Sequence, residues 1–148
     1  MQNIIKLHNY ENNTPIGISP DSISVIFTTT IRTSDNTRQV SEVNFTVETN
    51  IKGFYVNETP EKIFQMFDLP DFIKLHTAHD NGTVLVNKKC ICIIDTEVCP
   101  GRAKSRIYFY TNSNVKAFVV NESTEKIVEL FNQNKEDKRI SQDQPKDQ

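Results

Sequence analysis

The sequence predicts a β-rich α+β protein built from two copies of one unit, each an antiparallel β-meander of four to five strands closed by one short α-helix. Three observations carry that expectation. The chain echoes itself at a near-constant spacing, its apolar residues alternate with a period of two over most of each copy, and each copy ends in a capped stretch whose period is helical.

The echo is clearest between "VNETPEKIFQMF" at 56–67 and "VNESTEKIVELF" at 120–131. It extends back to "IIKLH" at 4–8, which matches "FIKLH" at 72–76 with an offset of 68 residues. "VNFTVETNIKGFYVNE" at 43–58 lies over "IYFYTNSNVKAFVVNE" at 107–122 with an offset of 64. The shortening falls in 28–42 against 96–106, where a hairpin connection tolerates it. The units so defined are 4–68 and 72–133, joined through "DLPD". A unit of about 65 residues is marginal alone, so the copies are expected to pack on each other about a pseudo-twofold axis.

In chain order, Ile5/Leu7, Ile16/Ile18, Ile23/Val25/Phe27 and Val43/Phe45/Val47 alternate as half-buried strands do. Ile73/Leu75, Val84/Val86, Ile91/Ile93 and Ile107/Phe109 repeat the pattern, with "ENNTP", "SPDS", "SDNT", "DNG" and "CPG" as turns. Thr59 and Ser123 then stand at N-cap positions. Pro60 suits the first helical residue, and Glu61 and Glu125 suit the first turn. Ile63, Phe64 and Phe67, like Ile127, Val128 and Phe131, form an apolar stripe that can cover a meander face. The polar stretch 134–148 reads as a disordered tail.

Composition removes some functions. A net charge of −2 gives no broad attraction to nucleic acid or anionic lipid, and no apolar run approaches a bilayer span. Nucleic acid and membrane are therefore not the expected partners. The opening residues show no secretory pattern and three cysteines cannot all pair within one chain, so the expected location is the cytoplasm, or a virion.

The stretch "FIKLH", "GTVLVNKKCICIID" and "KAFVVNESTEKIVELF" resembles the small FlbD-like proteins, which open with an Ile-Lys-Leu strand and close with a capped helix. Similar proteins are common in gut Bacteroidetes and their phages. The resemblance implies the unit's fold and brings no catalytic residues with it.

Candidate chemistry is sparse. His76, His79, Cys90, Cys92 and Cys99 all fall in the second copy, but they lack paired-knuckle spacing, and the first copy has Ser22 and Ser24 where the second has Cys90 and Cys92. No metal or other cofactor is expected. Both thiols are placed on one strand, on the face opposite Ile91 and Ile93. Lys6/His8 and Lys74/His76 share the polar face of the first strand in each copy and can bind an anion together. "PGRAKSR" at 100–106 adds Arg102, Lys104 and Arg106. Glu58/Glu61 and Glu122/Glu125 stand where capping alone would put them. No phosphate loop or nucleophile elbow occurs, and no catalytic residue is assigned. The expected function is non-enzymatic binding or assembly through protein contacts, including self-association. The alternative is an anionic small ligand, such as a nucleotide, held by Lys74, His76, Arg102, Lys104 and Arg106 with Lys6 and His8. Nucleic-acid binding is weaker still.

Overall fold

The computed structural model of the chain describes residues 4–47, 54–99 and 102–133, with 98, 99, 102 and 103 described by backbone alone. The tail expected over 134–148 lies outside the described residues. β1 (Ile5–His8) and β2 (Pro15–Ile18) form a hairpin, and β3 (Ile23–Arg32), β4 (Thr37–Phe45) and β5 (Phe54–Val56) a meander that runs into α1 (Pro60–Met66). β6 (Phe72–His76) and β7 (Thr83–Asn87) form the second hairpin. β8 (Ile91–Cys99), β9 (Arg102–Thr111) and β10 (Asn114–Val120) form the second meander, followed by α2 (Thr124–Asn132).

The local signals set these elements. Thr59 Oγ1 accepts the Lys62 N–H at 3.3 Å and Ser123 Oγ the Lys126 N–H at 3.2 Å, so both helices start at the expected hydroxyl caps. Each hairpin turns through an asparagine in the left-handed region, Asn13 and Asn81, both at φ 59°. Each meander enters through one 3₁₀ turn and a bulge, at Ile23/Val25 and again at Ile91/Ile93.

The five strands of each half do not share one sheet. Among the described residues β1 and β2 pair only with each other, β10-β9-β8 make a three-stranded sheet, and β5-β4-β3-β7-β6 make a five-stranded sheet that takes strands from both halves of the chain. The joint is antiparallel, with Val25 opposite Val86, Ile26 opposite Leu85 and Phe27 opposite Val84. β7 is buried at all five positions because both faces of this sheet are covered.

Two hydrophobic clusters result. One gathers Ile5, Leu7, Ile18, Ile26, Val43, Val56 and Ile63 of the first half; the other gathers Ile73, Leu75, Val86, Ile107, Val120 and Ile127 of the second. Each hairpin thus lies over its own meander and helix. Burying each of these side chains stabilises by roughly 1.5–3 kcal/mol. Some side chains cross the joint. Leu69, Phe72 and Leu85 belong to the first cluster, while Val25 belongs to the second with Phe27 packed against it. A twofold relation would return these contacts in kind, sending Ile93 into the first cluster and Ile4 into the second. Both are exposed instead, so among the described residues the joint between the halves has no twofold-related counterpart.

Two details depart from the sequence reading. Cys90 is buried in the 3₁₀ turn Lys88–Cys90 and only Cys92 is on the strand and exposed, so the two thiols do not share a sheet face. Burial pushes the Cys90 thiol pKa up. On α2, Ile127 and Leu130 pack inward while Val128 and Phe131 are exposed; among the described residues no hairpin contacts α2 as β7 contacts α1.

Candidate functional site

The echoed Val-Asn-Glu has a local job in each half. His8 donates its backbone N–H to Glu58 Oε1 at 3.0 Å and its ring Nδ1 faces Oε2 at 2.6 Å. His76 makes the same two contacts with Glu122, at 3.0 and 2.7 Å. An ionised carboxylate only accepts, so Nδ1 carries the proton in each pair. Asn57 Nδ2 donates to Asn9 O and Asn13 Oδ1, and Asn121 Nδ2 to Thr77 O and Asn81 Oδ1. Each Asn-Glu pair therefore pins the first hairpin of its half to the residues just before the helix. Burial is the largest influence on the Glu58 carboxyl and raises its pKa, but the hydrogen bonds from the His8 ring and backbone outweigh it, and the net shift is downward. Glu58 and Glu122, which the sequence places at helix caps, instead hold His8 and His76. The signal that finds them is the pairing of Lys-x-His with Val-Asn-Glu in both copies.

Around the second clamp lies a cleft of about 580 Å³ between α1, β6 and α2. Lys74, His76, Glu122, Lys88 and Lys126 line it beside Phe64, Phe67 and Leu130. Lys74 Nζ stands 5.7 Å from the Phe64 ring centroid, Lys88 Nζ donates to the Gln133 carbonyl, and Lys126 Nζ is 3.7 Å from Glu129 Oε1. Three ammonium groups beside an aromatic wall can hold an anion with a planar body.

The expected anion site is brought together in part. Lys74 and His76 meet in this cleft, whereas Lys6 and His8 lie in the first half, with Lys6 exposed and His8 engaged by Glu58. Lys104 and Arg106 lie on β9 away from the cleft, and Arg106 Nη2 is 2.7 Å from Glu97 Oε1. The Arg102 side chain is outside the described residues. Lys88 and Lys126 complete the cleft, and nothing in their sequence context had singled out Lys126.

A second cavity of about 580 Å³ opens between β3–β4 and β9–β10, with Val25, Val84 and Phe109 as its floor and Glu42, Asn44 and Lys116 at its rim. Burial raises the Glu42 pKa against the opposing pull of Asn44 and Lys116. Among the described residues no His, Cys, Asp and Glu side chains gather in threes to suit a metal ion, and no helix is long and apolar enough to cross a membrane.

Among the described residues no strand pairs with the outer edge of β2 or of β8. The three-stranded sheet also presents an apolar row on its outer face: Ile93 is opposite Tyr108, and Tyr110 is opposite Val115, with Ile93, Tyr110 and Val115 exposed. Comparison with family models, with curated proteins and with solved structures finds no match to this chain.

Proposed function

We propose that this is a non-enzymatic binding and assembly protein, a tandem pair of FlbD-like units of bacterial or phage origin that works through protein contacts in the cytoplasm or in a virion. The observation that carries this reading is the open edge of β8 beside an exposed apolar row, since an unpaired strand with apolar flanks is a template for strand addition. The matched clamps and caps of the two halves support the duplication. Light scattering of the purified chain should give a mass well above 17.0 kDa, or the chain should co-purify stably with a partner. A lone monomer under both conditions rejects the reading.

The cleft around Lys74 supports a second reading, capture of an anionic small ligand such as a nucleotide. Millimolar nucleotide should then raise the melting temperature, and Lys74→Ala with Lys126→Ala should abolish the rise. Absence of any shift removes this reading and leaves the first untouched.

A further inference from the structure

We infer that the chain associates with copies of itself head to tail: the outer edge of β8 in one copy pairs with the outer edge of β2 in the next, repeating between molecules the β3–β7 joint present inside each. This rests on the assembly reading and names its partner.

The two halves supply the comparison. Residues at the internal joint have counterparts at the two free ends, at the offsets of 68 and 64 read from the sequence. Val25 on β3 is 2% exposed, in a cluster with Val84 and Val86 of the neighbouring hairpin and Ile107 and Phe109 of the meander behind it; its counterpart Ile93 on β8 is 57% exposed. Phe64 and Phe67 on α1 pack against a cluster that includes Phe72 and Leu85 of that hairpin; their counterparts Val128 and Phe131 on α2 are 43% and 37% exposed. At the opposite end, Phe72 is 4% exposed beneath α1, and its counterpart Ile4 is 64% exposed. Every pair is apolar on both sides. Residue type therefore does not explain the exposure, and the presence or absence of a neighbour among the described residues does.

The exposed sets are complementary rather than identical. Ile93, Val128 and Phe131 form the meander-and-helix end, and Ile4 and β2 form the hairpin end, as β3 with α1 meets β6 with β7 inside the chain. An interface of two different patches is heterologous and propagates as a ring or filament. Carrying the internal register across places Ile93 opposite Ile18 of the next copy, Ile94 opposite Gly17 and Asp95 opposite Ile16. Pro15, which has no N–H to give a ladder, falls outside these three pairs. Asp95 stands where β3 has Phe27, and Gly17 where β7 has Leu85, so less apolar surface is buried than at the internal joint. The association is accordingly weaker than the internal joint and depends on concentration.

Two surface variants test the inference, each blocking one end at an exposed position that leaves the clusters intact. Ile93→Lys removes the β8 end and Ile4→Lys the hairpin end. With unchanged melting temperatures, each variant alone should fall to 17.0 kDa in light scattering at concentrations where the wild type is larger. An equimolar mixture should form a species of two chains and no larger, because one intact end remains on each variant. If the wild type associates but the variants still do so alone, or the mixture stays monomeric, the head-to-tail geometry is overturned and assembly through another surface stands. A wild type that is monomeric at millimolar concentration overturns the inference, and assembly then rests on co-purification with a different protein.

Discussion

Replacing Leu85 with alanine should lower the unfolding free energy by about 2–5 kcal/mol, the loss found when a fully buried leucine is cut back in a core that relaxes only in part. Leu85 has no exposed surface. It belongs by sequence to the second half, yet its side chain sits in the first cluster with Ile26 and Ile63, on the strand that α1 contacts most. The void would therefore open at the joint between halves, where β3 and β7 hold each other. Equilibrium denaturation in urea measures the loss, and the curve should stay a single transition because Val25 and Phe27 bind the second cluster to the same sheet. Ile63→Ala should cost a similar amount, since both side chains fill one cluster. A loss under about 1 kcal/mol for Leu85 would show that the cluster closes without it. By the same logic, residues 4–68 expressed alone lack Leu69, Phe72 and Leu85 and should not fold stably.

Much of this fold is legible in the residues. Period-two runs such as Ile5/Leu7 and Ile107/Phe109 mark strands because one face of each is buried, and Thr59-Pro60 and Ser123 mark helix starts because their hydroxyls satisfy local N–H groups. These signals act within a few residues. What stayed hidden depends on neighbours far along the chain. Nothing local to β7 says that it extends the first meander, apart from the unbroken apolar run of Val84, Leu85 and Val86, which fits a strand covered on both faces. Val128 and Phe131 fit the helical stripe as well as Phe64 and Phe67 do, yet they are exposed, and among the described residues no hairpin lies beside α2 as β6 and β7 lie beside α1. Of the expected anion site, Lys74 and His76 proved close because they share a strand. Arg106 is occupied by Glu97 across its hairpin, a pairing set by the β8–β9 register that composition does not reveal.

Replacing Glu58 with alanine should remove about 2–3 kcal/mol, because the carboxylate accepts charge-assisted bonds from both the ring and the backbone N–H of His8, and its loss strands the latter. Glu58→Gln keeps one acceptor oxygen for the backbone N–H and should lose about 1 kcal/mol. The equivalent change at Glu122 should cost less than Glu58→Ala, since the Glu122 side chain is 18% exposed against 9% for Glu58 and water can replace part of what is lost. Acid separates the charge from the shape. The folded pKa of Glu58 lies below its unfolded value near 4.5, so the folded state binds this proton less readily than the unfolded chain. Its contribution is complete above the unfolded pKa and is lost as the pH falls through the folded one. From pH 6 down to pH 3 the wild type should therefore lose more stability than Glu58→Gln, and the gap between them should narrow as the carboxyl takes up its proton. Parallel curves for the two proteins across that range would mean that His8 gains nothing from the charge on Glu58, and that the clamp holds β1 through its backbone hydrogen bond alone.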